Sequence, residues 1–131
     1  MVVGQAMIVA GIGCRKGVGA DAIVAALHEV ALGHHVKIDF IATAPIKGDE
    51  PGLLEAATRL GMAFVVVAQA DFEAGGERTV THSETSLKHS GSPSLSEASA
   101  LAACGPNSKL IAPRTVLGDI TIAIAVSGDQ P

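Results

Sequence analysis

Apolar residues along this chain follow two rhythms, and the rhythms alternate. Ala6-Met7-Ile8-Val9-Ala10 is a continuous apolar run ending in a glycine-rich stretch, which reads as a buried strand over about residues 6–13. From Ala20 to Leu32 the period becomes helical: Ile23, Val24, Leu27, Val30 and Ala31 share one face, and Gly33 stands where a C-cap belongs. A second strand follows over residues 36–42, with Pro45 at its exit. Asp49-Glu50-Pro51-Gly52 then carries acidic residues and a proline, the signs of a helix start, for a helix that runs to about Leu60 and stops at Gly61. Met62-Ala63-Phe64-Val65-Val66-Val67 is again a buried strand. Two strand–helix units in succession predict right-handed crossovers and a parallel sheet.

The second half is less regular. Residues 69–93 are richer in Gly, Ser, Thr and His, and Thr81-x-x-Glu84 has the form of a capping box for a short helix. Ser94-x-x-Glu97 has the same form, ahead of an Ala-rich helix over about residues 95–103 that Gly105-Pro106-Asn107 ends. Two strands close the chain, Lys109 to Val116 and Ile120 to Val126, joined at Leu117-Gly118-Asp119 as an antiparallel hairpin. The expected fold is a single domain over residues 1–131 of class α/β, a three-layer α/β/α sandwich whose mixed, mainly parallel sheet ends in an antiparallel hairpin.

Composition narrows the function classes. The chain has 131 residues, no Trp or Tyr and three Phe, so its core must be built from Ala, Val, Ile and Leu. A net charge of −4 with so few aromatic rings argues against nucleic-acid binding. No apolar run reaches the ~18 residues of a membrane span, and no signal peptide is recognisable, so a cytoplasmic protein is expected. The two cysteines, Cys14 and Cys104, form neither a disulfide framework nor a zinc pattern.

Candidate chemistry centres on Gly11-Ile12-Gly13-Cys14-Arg15-Lys16-Gly17-Val18-Gly19, between the first strand and the first helix. A glycine turn at that junction aims backbone N–H groups and a helix dipole at one spot, and Arg15 and Lys16 add charge: an anion site is expected. The phosphate-loop pattern is absent. The dinucleotide fingerprint is partly met by Gly17-x-Gly19-x-x-Ala22 with Asp39 beyond it, but four residues separate it from the strand, which leaves nucleotide binding as an alternative. Cys14 reads as a packing residue rather than a nucleophile. His34-His35 suits a helix end, and His82 with His89 suits a solvated face, so neither a metal nor a cofactor is expected.

Three segments in order carry a resemblance to a known family: Gly-Ile-Gly-Cys-Arg-Lys-Gly at 11–17, Lys-Gly-Asp-Glu-Pro-Gly-Leu-Leu-Glu-Ala-Ala at 47–57, and Gly-Ser-Pro-Ser-Leu-Ser-Glu-Ala-Ser-Ala-Leu at 91–101. With the closing Thr-Ile-Ala-Ile-Ala at 121–125 they resemble the CobE proteins of cobalamin biosynthesis and the C-terminal domain of CbiG, a cobalt-precorrin-5A hydrolase. The chain is as short as a stand-alone CobE. It departs from the family at Val18-Gly19-Ala20, which lacks the usual capping hydroxyl, and at Ala44-Pro45, where an Ile-Asp pair often stands.

The resemblance implies a three-layer α/β/α fold and a corrinoid or precorrin ligand, an apolar macrocycle fringed with carboxylates. A site for it needs donors and cations around an apolar surface. The residues it points to are Gly11, Gly13, Cys14, Arg15, Lys16, Gly17, Lys47, Glu50, Ser92, Ser94 and Glu97, with Thr81 and Ser83 as further hydroxyl donors. It implies an accessory or carrier role beside other cobalamin-pathway enzymes. The alternative is a hydrolase in which Asp49 or Glu50 activates water, although a helix first turn favours the ionised carboxylate and weakens it as a base.

Overall fold

Alternation along the first strand decides what packs on each face of the sheet. In β1 (Ile8–Cys14), Ala10, Ile12 and Cys14 join a core of large aliphatic side chains, whereas Val9, Gly11 and Gly13 face the other way. The glycines are required there. A Cβ on Gly11 would lie 2.0 Å from the Ser96 carbonyl oxygen and 2.6 Å from the Ala100 nitrogen, so a helix backbone rests directly on the strand. These relations come from a computed structural model, which describes residues 7–90 and 94–127.

The elements are α1 (Ala20–His34), β2 (Phe40–Thr43), a 3₁₀ turn (Pro45–Lys47), α2 (Pro51–Leu60), β3 (Ala63–Val66), α3 (Gln69–Gly76), α4 (Glu84–Ser90), α5 (Leu95–Cys104), β4 (Lys109–Leu117) and β5 (Ile120–Val126). The five strands among the described residues run in the order β3-β2-β1-β5-β4. β1, β2 and β3 are parallel; β5 pairs antiparallel with both β1 and β4. Helices α1 and α2 cover Ile12, Ile41, Ile122 and Ile124 on one face, and α5 with α3 covers Val9 and Ala42 on the other. The α/β class, the mixed sheet and the closing hairpin are as the sequence led us to expect.

Several local expectations are corrected. Helix α1 does not stop at Gly33. It ends in a Schellman closure in which His35 is left-handed (φ 54°), with the His35 N–H on Leu32 O and the Val36 N–H on Ala31 O. Val36 then folds back onto the core, which sets the stop two residues later than glycine alone implies. The chain between that closure and the sheet is not strand, so β2 begins at Phe40 rather than Val36. Asp39 extends the pairing by its side chain: its Oδ2 accepts the Ile8 N–H at 2.7 Å.

Helix α3 lies where the polar composition predicted none. Phe72 anchors it in the core, and Gly75 is there for contact, since a Cβ would stand 2.6 Å from the Ala98 carbonyl oxygen of α5. The first helix cap in the polar segment is also shifted. Helix α4 starts at Glu84, and the Ser83 Oγ, not that of Thr81, accepts an N–H of its first turn, from Ser86 at 3.2 Å.

Candidate functional site

The carboxyl end of β1, the 3₁₀ turn after β2, the start of α4 and the β4–β5 turn converge on a half-open cleft of about 700 Å³. Ligands of open α/β sheets sit at this edge, beyond the carboxyl ends of the parallel strands. Gly13 forms part of its floor, because a side chain there would strike Thr121 Oγ1 at 2.9 Å and Leu95 Cδ2 at 3.1 Å. Cys14, Arg15 and Lys16 follow from the same strand end, Ile46 and Lys47 from the 3₁₀ turn, and Ser83 and Ser86 from the α4 region. Arg114, Val116, Gly118, Asp119 and Thr121 close it from the hairpin.

The glycine loop is not the open amide cradle that the sequence predicted. The Arg15 N–H donates to Asp119 O at 3.1 Å and the Val18 N–H to Arg15 O at 3.3 Å. Gly17, left-handed at φ 88°, donates its N–H to Glu50 Oε2 at 3.1 Å. The loop therefore already holds an anion, and it is the protein's own. Gly52 lets α2 approach this loop, since a Cβ there would lie 2.1 Å from Val18 O. Glu50 is 8 % exposed and sits behind the cleft as a loop anchor, while Asp49 is exposed and outside its lining. As candidate bases, neither faces the cleft.

What the cleft does present is positive charge. Arg15 pairs with Asp119 at 3.2 Å, and both side chains are exposed. Lys16, Lys47 and the Arg114 guanidinium have no ion-pair partner among the described residues. Four cationic side chains thus face one carboxylate, on a chain whose net charge is −4. Two exposed apolar side chains, Ile46 and Val116, stand among them. Burial pushes the Cys14 thiol up, Lys47 opposes that and Glu50 adds to it, so the thiol stays protonated and packs.

Arg114 is absent from the sequence-derived candidates. It lies where β4 slips register, Ala112 opposing Ile124 and Thr115 opposing Ile122, so that Pro113 and Arg114 form a bulge. Pro113 within a strand was the available signal, because proline in a sheet marks an edge or a bulge.

Several expected site residues lie elsewhere. Gly11 is sealed under α5. Gly17 is outside the cleft lining and is tied to Glu50. Ser94 is fully buried as the N-cap of α5, its Oγ accepting the Glu97 N–H at 3.4 Å. Glu97 is also 0 % exposed, and its carboxylate accepts from the Val80, Thr81 and Arg114 N–H groups and the Thr81 hydroxyl. Burial alone would raise its pKa; those donors, the Thr81 hydroxyl foremost, outweigh it and hold the group below the usual carboxylate range. Ser92 lies outside the described residues, as does the side chain of His89. Asp39, the acidic residue of the dinucleotide pattern, is at the opposite end of β1 from the glycine loop, bonded to Ile8, so that pattern does not assemble. Among the described residues no group of three or more His, Cys, Asp or Glu converges on a metal position, and no helix is long and apolar enough to cross a membrane.

Comparison with known proteins gives a consistent set. The family model described as Cobalamin synthesis G C-terminus matches residues 8–125. The crystal structure of cobalamin biosynthesis protein chiG from Agrobacterium tumefaciens strain C58 is 53 % identical, covers 94 % of this chain and 100 % of its own, and superposes with a TM-score of 0.78. That of CobE, a protein from the cobalamin (vitamin B12) biosynthetic pathway, is 28 % identical, covers 100 % of this chain and 97 % of its own, and has a TM-score of 0.90. A cobalamin biosynthesis protein G homolog from Sulfolobus solfataricus shares the fold at 24 % identity and a TM-score of 0.65, and this chain spans 38 % of it. No curated protein sequence matches.

Proposed function

The chain belongs to the Cobalamin synthesis G C-terminus family and is a cobalamin biosynthesis protein of the CobE/CbiG type, and on that premise we propose that it binds a corrinoid or precorrin intermediate by its carboxylate rim. The observation that carries this reading is the charge of the cleft: Arg15, Lys16, Lys47 and Arg114 surround Ile46 and Val116 with Asp119 as the one carboxylate in the lining. A corrin precursor offers the complement, an apolar macrocycle edged by acetate and propionate groups. Arginine meets such groups through a planar fork and lysine as a point charge, and both gain when part of the surrounding surface is apolar. The cleft is half open, so one edge of a ring seated there stays accessible. That suits a protein that carries or protects an intermediate and presents it to another pathway enzyme.

The test is direct, because a chain with neither Trp nor Tyr scarcely absorbs near 280 nm and a bound pigment stands out. The purified protein is mixed with hydrogenobyrinic acid or an earlier methylated precorrin and passed through gel filtration with the visible spectrum recorded. Co-elution of unchanged pigment is the expected result. A new product spectrum would replace carriage with catalysis. Free pigment together with a melting temperature raised by NAD or ATP would move the ligand to a nucleotide.

A further inference from the structure

Glu97 lines no part of the cleft, yet three of its walls hang from this one carboxylate. In the β4 bulge the Arg114 N–H donates to Glu97 Oε2 at 2.8 Å, while Arg114 itself belongs to the cleft lining. A bulge breaks the alternation of a strand and re-aims a side chain. The other oxygen, Oε1, accepts the Val80 N–H at 2.8 Å and the Thr81 N–H at 3.0 Å, and the Thr81 hydroxyl reaches Oε2 at 2.5 Å. Ser83, two residues further on, belongs to the cleft lining. So does Leu95, two residues before Glu97 on α5. A helix, a strand bulge and a loop are thus fixed to one another by a single buried side chain with two acceptor oxygens. No neutral side chain of this size serves four donors in this way: a glutamine turns an NH₂ group towards one set of them.

We propose that Glu97 is a positioning residue for the cleft, which holds the bulge at Pro113–Arg114 so that the Arg114 guanidinium meets a carboxylate of the ligand. The inference rests on the corrin reading of the cleft. Glu97 never touches the ligand, and its contribution to affinity passes through Arg114.

A double-mutant cycle tests this, with hydrogenobyrinic acid as the probe and its visible spectrum as the binding signal. Glu97→Gln and Arg114→Ala each weaken binding by about tenfold, the worth of one charge-assisted hydrogen bond, and the double variant binds within about twofold of Arg114→Ala. Glu97→Gln also flattens the salt dependence of binding to the slope of Arg114→Ala, which a loss of stability alone does not do. Should Glu97→Gln not fold, Thr81→Val keeps the carboxylate and removes only the hydroxyl donor. It weakens binding by about threefold when Arg114 is present and not when it is absent. Additive effects, or unchanged affinity in the variant that folds, overturn the inference while the corrin reading stands. A wild-type protein that does not bind the pigment overturns that reading and the inference with it.

Discussion

Two polar regions meet along β4, and they handle charge in opposite ways. Around Glu97 a carboxylate is fully buried and answered by four donors from two segments. A few residues away, in the cleft, four cations face one carboxylate. A buried charge must find its partners inside the fold, whereas an exposed excess of one sign has no architectural cause. The first region therefore reads as structure and the second as a binding surface, although both contain residues from the segments that resemble the family. The Arg78 site follows the first pattern. Its guanidinium donates to the carbonyl oxygens of Pro106, Ser108, Leu101 and Gly105 and so closes the end of α5.

The largest break in this contrast comes from Glu97→Ala. It leaves three backbone N–H groups and a hydroxyl without their acceptor at part-buried positions, a mechanism that costs about 3–5 kcal/mol of stability. Urea unfolding followed by far-UV circular dichroism measures it. A loss below about 1 kcal/mol would mean the carboxylate is not the node the geometry shows.

Acid offers a gentler route to the same site. The folded-state pKa of Glu97 lies below its unfolded value, so its ionisation contributes stability above the unfolded pKa and that contribution disappears as pH falls through the folded one. Stability measured from pH 7 down to pH 2 should fall on this limb, and Glu97→Gln, having no such proton to gain, should show a shallower fall. Identical acid limbs in both proteins would remove Glu97 from the acid response.

The cleft should answer in reverse. Lys47→Ala and Arg114→Ala leave stability within about 0.5 kcal/mol, as surface changes do, because among the described residues neither side chain has an ion-pair partner. Each should weaken corrin binding by about tenfold and reduce its salt dependence, since each removes one carboxylate contact. Titration of the pigment at two ionic strengths separates the effects. Unaltered binding in both variants would take the ligand out of this cleft.

The contrast also explains what could be read in the sequence. Periodicity within one segment was sufficient for β1, α1, α2 and the closing hairpin. Features decided between segments were not visible in it. Gly75 counted only towards the Gly, Ser, Thr and His content of residues 69–93, and it is a contact point with α5. Gly17 looked like a donor for a ligand, but its acceptor, Glu50, lies 33 positions away. Thr81 looked like a helix cap, yet its hydroxyl is drawn to Glu97. Arg114 carried no motif, because its place in the cleft depends on a bulge held from α5. The three family-like segments turn out to be mutual seams: Gly11 of the first lies under Ser96 and Ala100 of the third, and Gly17 of the first donates its N–H to Glu50 of the second. Their order along the chain pointed to the family and the fold. Which of their residues line the cleft emerged only once the seams were closed.

The smallest expected effect is also the sharpest test of the sign of the cleft. Asp119 is its one carboxylate, 3.2 Å from the Arg15 guanidinium, with side-chain exposures of 61 % and 82 %. An ion pair so exposed adds about 0–1 kcal/mol to stability, and the turn does not depend on it, because the Arg15 N–H holds the Asp119 carbonyl oxygen at 3.1 Å. For an anionic ligand the pair is a rival: a carboxylate reaching Arg15 must first displace that of Asp119. Asp119→Asn keeps the backbone bond and removes the rival charge. Affinity for hydrogenobyrinic acid should then rise by about threefold and its salt dependence steepen, with stability unchanged. Weaker binding in this variant would make Asp119 a contact rather than a competitor, and the ligand would have to present a donor, not a carboxylate, at the tip of the hairpin.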